Sequence, residues 1–421
     1  MAKKSGAGLF YGYICVAAAA TVMMLTFGSL YSFGVFFKPF LAEFGWSRAE
    51  TSGAFSLSFF LQGLMGIPMG RLNDRFGPRF VTILCGFFLG GGFLLMSLIR
   101  EVWQFYFLYG VIIAIGVSGS VAMMAIPSRW FVKRRGVMTG IVISGVGMGT
   151  VIMPPVATWL INALNWRNSY IIIGIAVLAM MLGAALFLKK EPKQIGLVPY
   201  GDGSVRSSQA LNTSGVDFSF SSALRTWQFW VLGILFSFHT FCVQTIMAHV
   251  ALHAQGVGLS AESAAGIISI VGAASIVGRL LMGIIVDRIG SRPVLTVSFF
   301  IKTAALIWLI FARADWMFVV FAAVFGLGYG GAAVGITPMV ADLFGLSALS
   351  LILAGAGFIG TCGAASGPVI AGRIFDVTGS YFWAFMVCVA LSLVGSIMTM
   401  FMRPVTSRER TGELAVKGQA K

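Results

Sequence analysis

Charged side chains are scarce in this sequence of 421 residues, and acidic ones are the scarcest. Asp, Glu, Lys and Arg make up 10% of the chain, whereas 58% of its residues are hydrophobic. A typical soluble domain has about a quarter of its residues charged. So much apolar surface cannot be hidden in one aqueous core, and an integral membrane protein is predicted. All 14 acidic residues lie in predicted loops, tails or helix ends, so neither a cation-binding cavity nor a carboxylate proton relay is expected inside the membrane.

Residues and motifs of catalytic chemistry are also few. The five cysteines have no metal-ligand spacing, so we predict neither a metal site nor a disulfide framework. The chain has no P-loop, no G-x-S-x-G and no H-E-x-x-H motif, which argues against ATP-driven transport and hydrolysis. A G-x-G-x-x-G match at 326–331 lies inside an apolar run, where close helix packing explains it better than dinucleotide binding. We therefore expect no enzymatic activity and no cofactor.

Apolar runs long enough to cross a hydrocarbon core of about 30 Å occur twelve times along the chain. The polar segment 189–226 divides them six and six, and its Gly- and Ser-rich composition predicts a flexible linker. We predict an all-α integral membrane fold with twelve transmembrane helices in two pseudo-symmetric halves, 1–188 and 227–403, followed by a cytoplasmic tail, 404–421. The predicted spans are 10–37, 51–70, 80–99, 103–127, 136–161, 168–188, 227–252, 263–286, 293–312, 316–340, 346–371 and 381–402.

Basic residues are distributed unevenly between the predicted loops. The net charge of +15 could indicate a nucleic-acid partner, but the positive charges lie in short loops between apolar runs. With the N-terminus inside, the cytoplasmic segments hold 21 Lys and Arg residues and the outward loops hold 6. The positive-inside rule then places both termini and the linker in the cytoplasm, with the bilayer rather than nucleic acid as partner. The compact loops favour a bacterial inner membrane, and we expect a functional monomer.

A ten-residue motif occurs twice, at the same place in each half. Residues 70–79 (GRLNDRFGPR) and 283–292 (GIIVDRIGSR) both read G-x-x-x-D-R-x-G-x-R and lie 213 residues apart, after the second and the eighth predicted span. This agreement indicates a duplicated six-helix unit. We expect the two loops to stabilise one face of the protein through hydrogen bonds and ion pairs, as a conformational switch. Their acidic and basic candidates are Asp74, Arg75, Asp287 and Arg288.

The chain resembles transporters of the major facilitator superfamily over nearly its whole length, because the repeated loop is similar to that superfamily's signature. Residues 130–149 (WFVKRRGVMTGIVISGVGMG) resemble the monocarboxylate transporter signature that enters helix five. Residues 224–232 (LRTWQFWVL) and Arg279 in GRLLMG resemble the oxalate/formate antiporter and its monocarboxylate relatives. The resemblance implies the major facilitator fold, secondary transport by alternating access, and a substrate-binding arginine in helix eight.

Arg279 is a charged residue in an otherwise apolar predicted span, where it costs about 2.5–3.5 kcal/mol or more. Its side chain could reach the headgroups or brace the repeated loop, or it could bind an anion in a central cavity. The repeat favours binding, because the equivalent position in the first half is Gly66 and the arginine is not part of the duplicated scaffold. A guanidinium is suited to a carboxylate because it donates two parallel hydrogen bonds.

The sequence departs from the family at other cationic positions. Ser275 replaces an aspartate of many eukaryotic relatives, Tyr31 replaces a lysine of helix one, and the region around Ala356 and Gly357 lacks the antiporter's lysine. One cation fits a singly charged carboxylate, so we expect a substrate like lactate or pyruvate rather than oxalate. If a proton accompanies the anion, the empty and loaded carriers have equal charge, which favours proton symport. A carboxylate exchanger of the oxalate/formate type is the alternative, and a receptor that binds without transport is another.

Further candidates come from histidines and aromatics. His239 and His249 lie in the seventh predicted span, and imidazole titrates near neutral pH. Both are proton-coupling candidates, with structural roles as the open alternative. The resemblance favours His249, since the family often has a histidine there, and implies that it also contacts substrate. Tyr31, Tyr329 and Phe358 lie near the expected cavity and are candidate substrate contacts, with packing as the alternative.

Lys302 is the second basic residue inside a predicted span. It lies in the ninth span, and helices three, six, nine and twelve are peripheral in the superfamily that the chain resembles. The resemblance therefore implies that Lys302 faces lipid or packs between helices rather than binding substrate.

Overall fold

A computed structural model of the chain describes residues 10–46, 48–201 and 218–402. Within these ranges the regular structure is helical, apart from one isolated β-bridge. Twelve helical segments are long and apolar enough to cross a membrane, which confirms the predicted all-α fold. They are α1 (Tyr11–Tyr31), α2 (Arg48–Phe76), α3 (Pro78–Met96), α4 (Val102–Trp130), α5 (Arg135–Leu164), α6 (Trp166–Phe187), α7 (Trp227–Gly256), α8 (Ala261–Ile289), α9 (Ser291–Phe311), α10 (Asp315–Phe344), α11 (Leu349–Thr378) and α12 (Phe382–Phe401).

The repeated motif ends α2 and α8 in the same way. Gly77 and Gly290 each have φ of 89°, a left-handed conformation that favours glycine because it has no Cβ. Each glycine amide donates to the carbonyl four residues earlier, at 2.9 Å in both copies. The next helix starts at the following residue, so the motif makes a tight turn between two antiparallel spans. The duplication read from the sequence is therefore also a duplication of local structure.

Glycines of α5 and α11 allow close packing within each half. A Cβ atom on Gly149 of α5 would lie 2.2 Å from the Met24 carbonyl oxygen of α1. A Cβ atom on Gly363 of α11 would lie 2.2 Å from the Ser237 carbonyl oxygen of α7. Helices that pack at such distances place backbone against backbone, as small residues permit in lipid.

The two described ends of the linker are bound to the helical halves. The Tyr200 amide donates to the Trp130 carbonyl oxygen at 2.9 Å, at the end of α4. The Phe218 amide donates to the Phe344 carbonyl oxygen at 3.1 Å, at the end of α10. Residues 202–217, the middle of the predicted flexible linker, lie outside the described residues. We call the end of the bundle that carries the two linker ends the linker face; the charge distribution predicts that it is cytoplasmic.

Candidate functional site

Glycines bring α10 against α8 at the level of Arg279. A Cβ atom on Gly330 would lie 2.2 Å from the Ser275 carbonyl oxygen and 2.8 Å from the Arg279 amide nitrogen. The G-x-G-x-x-G match at 326–331 therefore serves helix packing. This approach places the Tyr329 ring under the guanidinium, with the Arg279 Cζ atom 5.2 Å from the ring centroid. A cation over an aromatic face at this distance is stabilised by the ring quadrupole.

The Arg279 guanidinium is buried at the boundary between the two halves. The residue is 2% exposed, so its side chain does not extend to the headgroups. A Cβ atom on Gly147, in α5 of the first half, would lie 2.9 Å from Nη1. Among the described residues, Nε and Nη1 have no hydrogen-bond partner. Buried donors without acceptors are costly, and these two are available to a bound anion.

Tyr31 and Phe358 reach the same boundary from other helices. Tyr31, the last residue of α1, lies close enough to Tyr329 and Arg279 to interact electrostatically with both. Tyr31 therefore adds a residue of the first half to the group formed by Arg279 and Tyr329. Phe358 of α11 is half-buried, and its ring lies 6.2 Å from that of Phe60 in α2. The described ring contact of Phe358 thus joins the two halves and does not involve Arg279.

His239 lies behind Tyr329, and Lys302 lies behind His239. The His239 ring is 5.7 Å from the Tyr329 ring, centroid to centroid, and its Nδ1 atom is 3.1 Å from Lys302 Nζ. Lys302 is 0% exposed, so of the two placements that the resemblance implied it packs between helices and does not face lipid. The physical reason is local: a Cβ atom on Gly328 of α10 would lie 2.8 Å from Lys302 Cγ. The missing side chain leaves room for the lysine to extend inward from α9.

His249 occupies a different level of the bundle. It lies ten residues beyond His239, which is about 15 Å along the axis of α7. Its Nδ1 atom is 3.2 Å from the Tyr381 hydroxyl, and its Nε2 atom is 3.0 Å from the Pro368 carbonyl oxygen. Both ring nitrogens thus have partners on α11 and at the start of α12. The structure brings His239 to the Arg279 group but does not bring His249 there.

Two carboxylates on the linker face connect the halves symmetrically. Asp74, at the end of α2, accepts a hydrogen bond from the Leu351 amide at 2.9 Å, in the first turn of α11. Asp287, at the end of α8, accepts one from the Gly136 amide at 2.6 Å, in the first turn of α5. Each carboxylate also accepts from a neighbouring amide of the same turn. A carboxylate at a helix N-terminus satisfies free N–H groups and complements the helix dipole.

The linker face also has ion pairs that no sequence motif indicates. Arg129 pairs with Asp74 at 2.5 Å within the first half, and Arg135 pairs with Asp342 at 2.7 Å across the halves. Arg129 and Asp342 are separated by 213 residues, the spacing of the repeat. This spacing could have identified the two residues as equivalent positions of the repeat. They have opposite charges, however, and lie in no shared motif.

The basic candidates of the repeated loops do not make these contacts. Arg75 is exposed, and its Cζ atom lies 5.0 Å from the ring centroid of the adjacent Phe76. Arg288 is also exposed. Of the four predicted switch residues, the two aspartates carry the described connection between the halves.

The side of α8 that carries Arg279 has open space at Gly272, away from the linker face. Between the linker face and Arg279, α5 and α8 touch through their backbones, since a Cβ atom on Gly140 would lie 2.6 Å from the Arg279 carbonyl oxygen. Gly272 lies two turns from Arg279 in the opposite direction, on the same side of α8. A Cβ atom there would meet no described atom within 4 Å. The halves are closed together on the linker face up to the level of the guanidinium.

Two six-helix bundles that contact each other around a buried arginine have the architecture of a membrane transporter. The sequence profile of the Major Facilitator Superfamily matches residues 19–312 and 267–420, so the chain belongs to that family. It is a multi-pass integral membrane protein and a transporter, not an enzyme.

Several curated transporters are similar to the chain. The uncharacterized MFS-type transporter YhjX of Escherichia coli (strain K12) is 24% identical over 338 residues, with 78% of this chain and 80% of that protein covered. Monocarboxylate transporter 12 of Mus musculus is 26% identical, with coverage of 95% and 87%. Monocarboxylate transporter 13 of Rattus norvegicus is 26% identical, with coverage of 92% and 87%. The relatives thus include transporters named for monocarboxylates.

A solved structure agrees with the fold. The crystal structure of the MFS transporter FucP in the outward conformation superposes with a TM-score of 0.72 over 94% of this chain and 100% of that one. Its sequence identity is 15%, so the match concerns the fold alone.

Proposed function

We propose that the protein is a secondary active transporter of small monocarboxylates, such as lactate or pyruvate, that works as a proton symporter by alternating access. One observation carries the proposal: Arg279 is a buried guanidinium at the boundary between the halves, with Nε and Nη1 free of hydrogen-bond partners among the described residues. A carboxylate accepts charge-assisted hydrogen bonds from such free guanidinium donors. The names of the similar monocarboxylate transporters support the same substrate class.

In this proposal the substrate contacts both halves at once. Arg279 and Tyr329 bind the carboxylate from the second half. Tyr31 approaches them from the first half, and Phe358 lines the boundary beside Phe60. A ligand held from both sides favours the conformation in which the halves close around it, because its differential contacts are made only there. His249 is not included in the site, since it lies at another level of α7.

The conformation of the linker face gives the direction of opening. If that face is cytoplasmic, as the basic residues predict, the described structure is closed inside and the site faces outward. Opening to the inside then requires that Asp74 leave the first turn of α11 and Asp287 leave the first turn of α5. These contacts are the latch of the outward-facing state in our proposal.

Charge balance favours symport. A carrier that binds one anion and one proton has the same net charge loaded and empty, so neither form moves a net charge against the membrane potential. That avoids about 2.3 kcal/mol per charge per 100 mV. A carrier that binds the anion alone changes charge on loading, which would suit an exchanger.

Transport of radiolabelled L-lactate into proteoliposomes tests the proposal. An inward proton gradient is applied while potassium and valinomycin hold the voltage at zero. We expect accumulation by the wild type and none by Arg279→Gln. Arg313→Gln is the matched control, because Arg313 lies in the loop between α9 and α10 and donates to the adjacent Ala312 carbonyl oxygen.

Two other outcomes would change the conclusion. No net uptake, with rapid exchange in vesicles preloaded with lactate, would show a carboxylate exchanger. Normal transport by Arg279→Gln would show that the arginine belongs to the scaffold.

A further inference from the structure

Lys302 and His239 form a buried pair of basic side chains inside the second half. Both residues are buried, at 0% and 2% exposure, and the Nζ–Nδ1 distance is 3.1 Å. The ammonium also lies 3.8 Å from the centroid of the Phe299 ring. The three ion pairs of the described residues do not include Lys302. Its hydrogen-bond partner is therefore an imidazole in place of a carboxylate, an unusual arrangement for a buried charge.

Charged and titratable groups face the pair from each helix around it. Arg279 of α8 interacts electrostatically with His239, and Cys242 of α7 and Cys388 of α12 interact with Lys302. Tyr329 of α10 stands between His239 and Arg279. Beyond Tyr329, Tyr31 of α1 completes the set. Arg279 is the permanent charge of this environment, and a bound carboxylate would neutralise it.

We propose that the Lys302–His239 pair is the proton-binding site of the transporter. When a carboxylate binds at Arg279, the pair takes up one proton, and it releases that proton when the carboxylate leaves. In the unprotonated pair, a neutral amine and a neutral imidazole lie in contact. Uptake forms one N–H bond at Nζ, and the resulting ammonium donates to Nδ1 of His239. This inference rests on the proposed proton symport and assigns its proton to named atoms.

Coupling in this arrangement is electrostatic and needs no contact between substrate and pair. The Arg279 Cζ atom is 5.2 Å from the Tyr329 centroid, which is 5.7 Å from the His239 centroid. At an effective dielectric constant of about 20, unit charges about 10 Å apart change a binding constant roughly tenfold. An anion on Arg279 thus favours the protonated pair, and by reciprocity the protonated pair favours the anion to the same extent.

Paired transport assays on full-length protein in proteoliposomes separate coupling from binding. The variants are Lys302→Met and His239→Gln. Ser298→Ala is the matched control, since Ser298 is a buried α9 residue one turn earlier whose hydroxyl donates within its own helix. We measure exchange of L-lactate between preloaded and external pools, which needs no net proton movement, and accumulation driven by a proton gradient. Lactate binding is also measured from pH 5.5 to 8.5.

In the wild type and in Ser298→Ala we expect gradient-driven accumulation, with lactate affinity falling about tenfold in total as rising pH removes the proton from the pair. In Lys302→Met and His239→Gln we expect exchange within about threefold of wild type, no gradient-driven accumulation and lactate affinity independent of pH.

Undiminished accumulation by Lys302→Met would overturn the assignment, while the wild type still supports symport. Loss of exchange together with accumulation in both variants would also overturn it, because the pair would then belong to the substrate site or to helix packing. Failure of the wild type itself to accumulate lactate would instead reject the proposed symport.

Discussion

Arg129 and Asp342 occupy equivalent positions in the two halves but carry opposite charges and bind different kinds of partner. Arg129 pairs with Asp74 inside its own half, whereas Asp342 pairs with Arg135 across the boundary. The linker face is thus held by a symmetric pair of carboxylate–helix contacts and by an asymmetric pair of salt bridges. The Asp342 side chain is 50% exposed, and exposed pairs contribute about 0–1 kcal/mol. The two aspartates that reach helix N-termini are therefore the stronger connection.

Removal of either carboxylate charge should open the linker face. Asp74→Asn and Asp287→Asn each weaken hydrogen bonds to the first turn of a helix in the other half, at a cost of about 0.5–2 kcal/mol. The inward-open population should rise about 2- to 30-fold for that change in free energy. Double electron–electron resonance would measure the distance between spin labels at Arg75 and Arg288 and so report this population. Both residues are exposed on this face.

The control for this experiment is Asp315→Asn, in the first turn of α10. It removes an acidic residue near a helix N-terminus away from the linker face. Distance distributions that stay unchanged in Asp74→Asn and Asp287→Asn would contradict the latch.

Arg279→Lys should separate charge from geometry. Lysine keeps the positive charge but cannot donate two parallel hydrogen bonds. Loss of one charge-assisted hydrogen bond, worth about 1.5–3 kcal/mol, should raise the KM for L-lactate about 10- to 150-fold. Initial rates of uptake over a range of lactate concentrations provide the measurement, with Arg313→Lys as control. An unchanged KM would mean that the carboxylate does not use the fork.

Gly147→Ala should disturb the site from the opposite half. The new Cβ atom would lie 2.9 Å from Arg279 Nη1 and 2.7 Å from Ile276 Cγ1, so either the guanidinium or α5 must move. Overpacking of this kind costs about 1–3 kcal/mol, and lactate affinity should fall about 5- to 150-fold. Equilibrium binding of labelled lactate would measure it. Gly183→Ala on α6 is the matched control, because a Cβ atom there meets no described atom within 4 Å.

The helix Phe33–Phe44, which follows α1, should contribute to stability in a pH-dependent way through Glu43. Glu43 accepts hydrogen bonds from Arg167 and Trp166, both at 2.5 Å. The bond from Arg167, and then that from Trp166, holds the pKa of Glu43 below its usual value despite opposing desolvation. A pKa lowered by folding stabilises the protein above the unfolded pKa of about 4.3, and the contribution is lost as pH falls through the folded value.

Thermal unfolding of wild type and Glu43→Gln in detergent would check this expectation. The wild type should have the higher Tm at pH 7, and the difference should shrink below about pH 4.3. A difference that stays constant down to pH 3 would show that packing, not the ionised carboxylate, is responsible.

The span pattern, the duplication and the importance of Arg279 follow from the sequence by itself. Hydrophobic runs and a repeated motif are local properties, because each helix satisfies its own backbone and each motif turn needs only its own glycine. Gly77 and Gly290 show this, since their identical φ values repeat an identical motif. Arg279 is conspicuous in the sequence because a charge within an apolar span is costly unless it binds a partner.

The partners of the charged residues were decided only by the tertiary structure. The sequence places Lys302 in a peripheral helix, but the absence of a side chain at Gly328 on the neighbouring helix lets it reach His239. The resemblance favours His249, whereas the structure brings His239 to Arg279, because the surroundings of each histidine depend on neighbouring helices. The partner that a buried side chain reaches depends on which helix packs against its own. That neighbouring helix lies far away in the sequence.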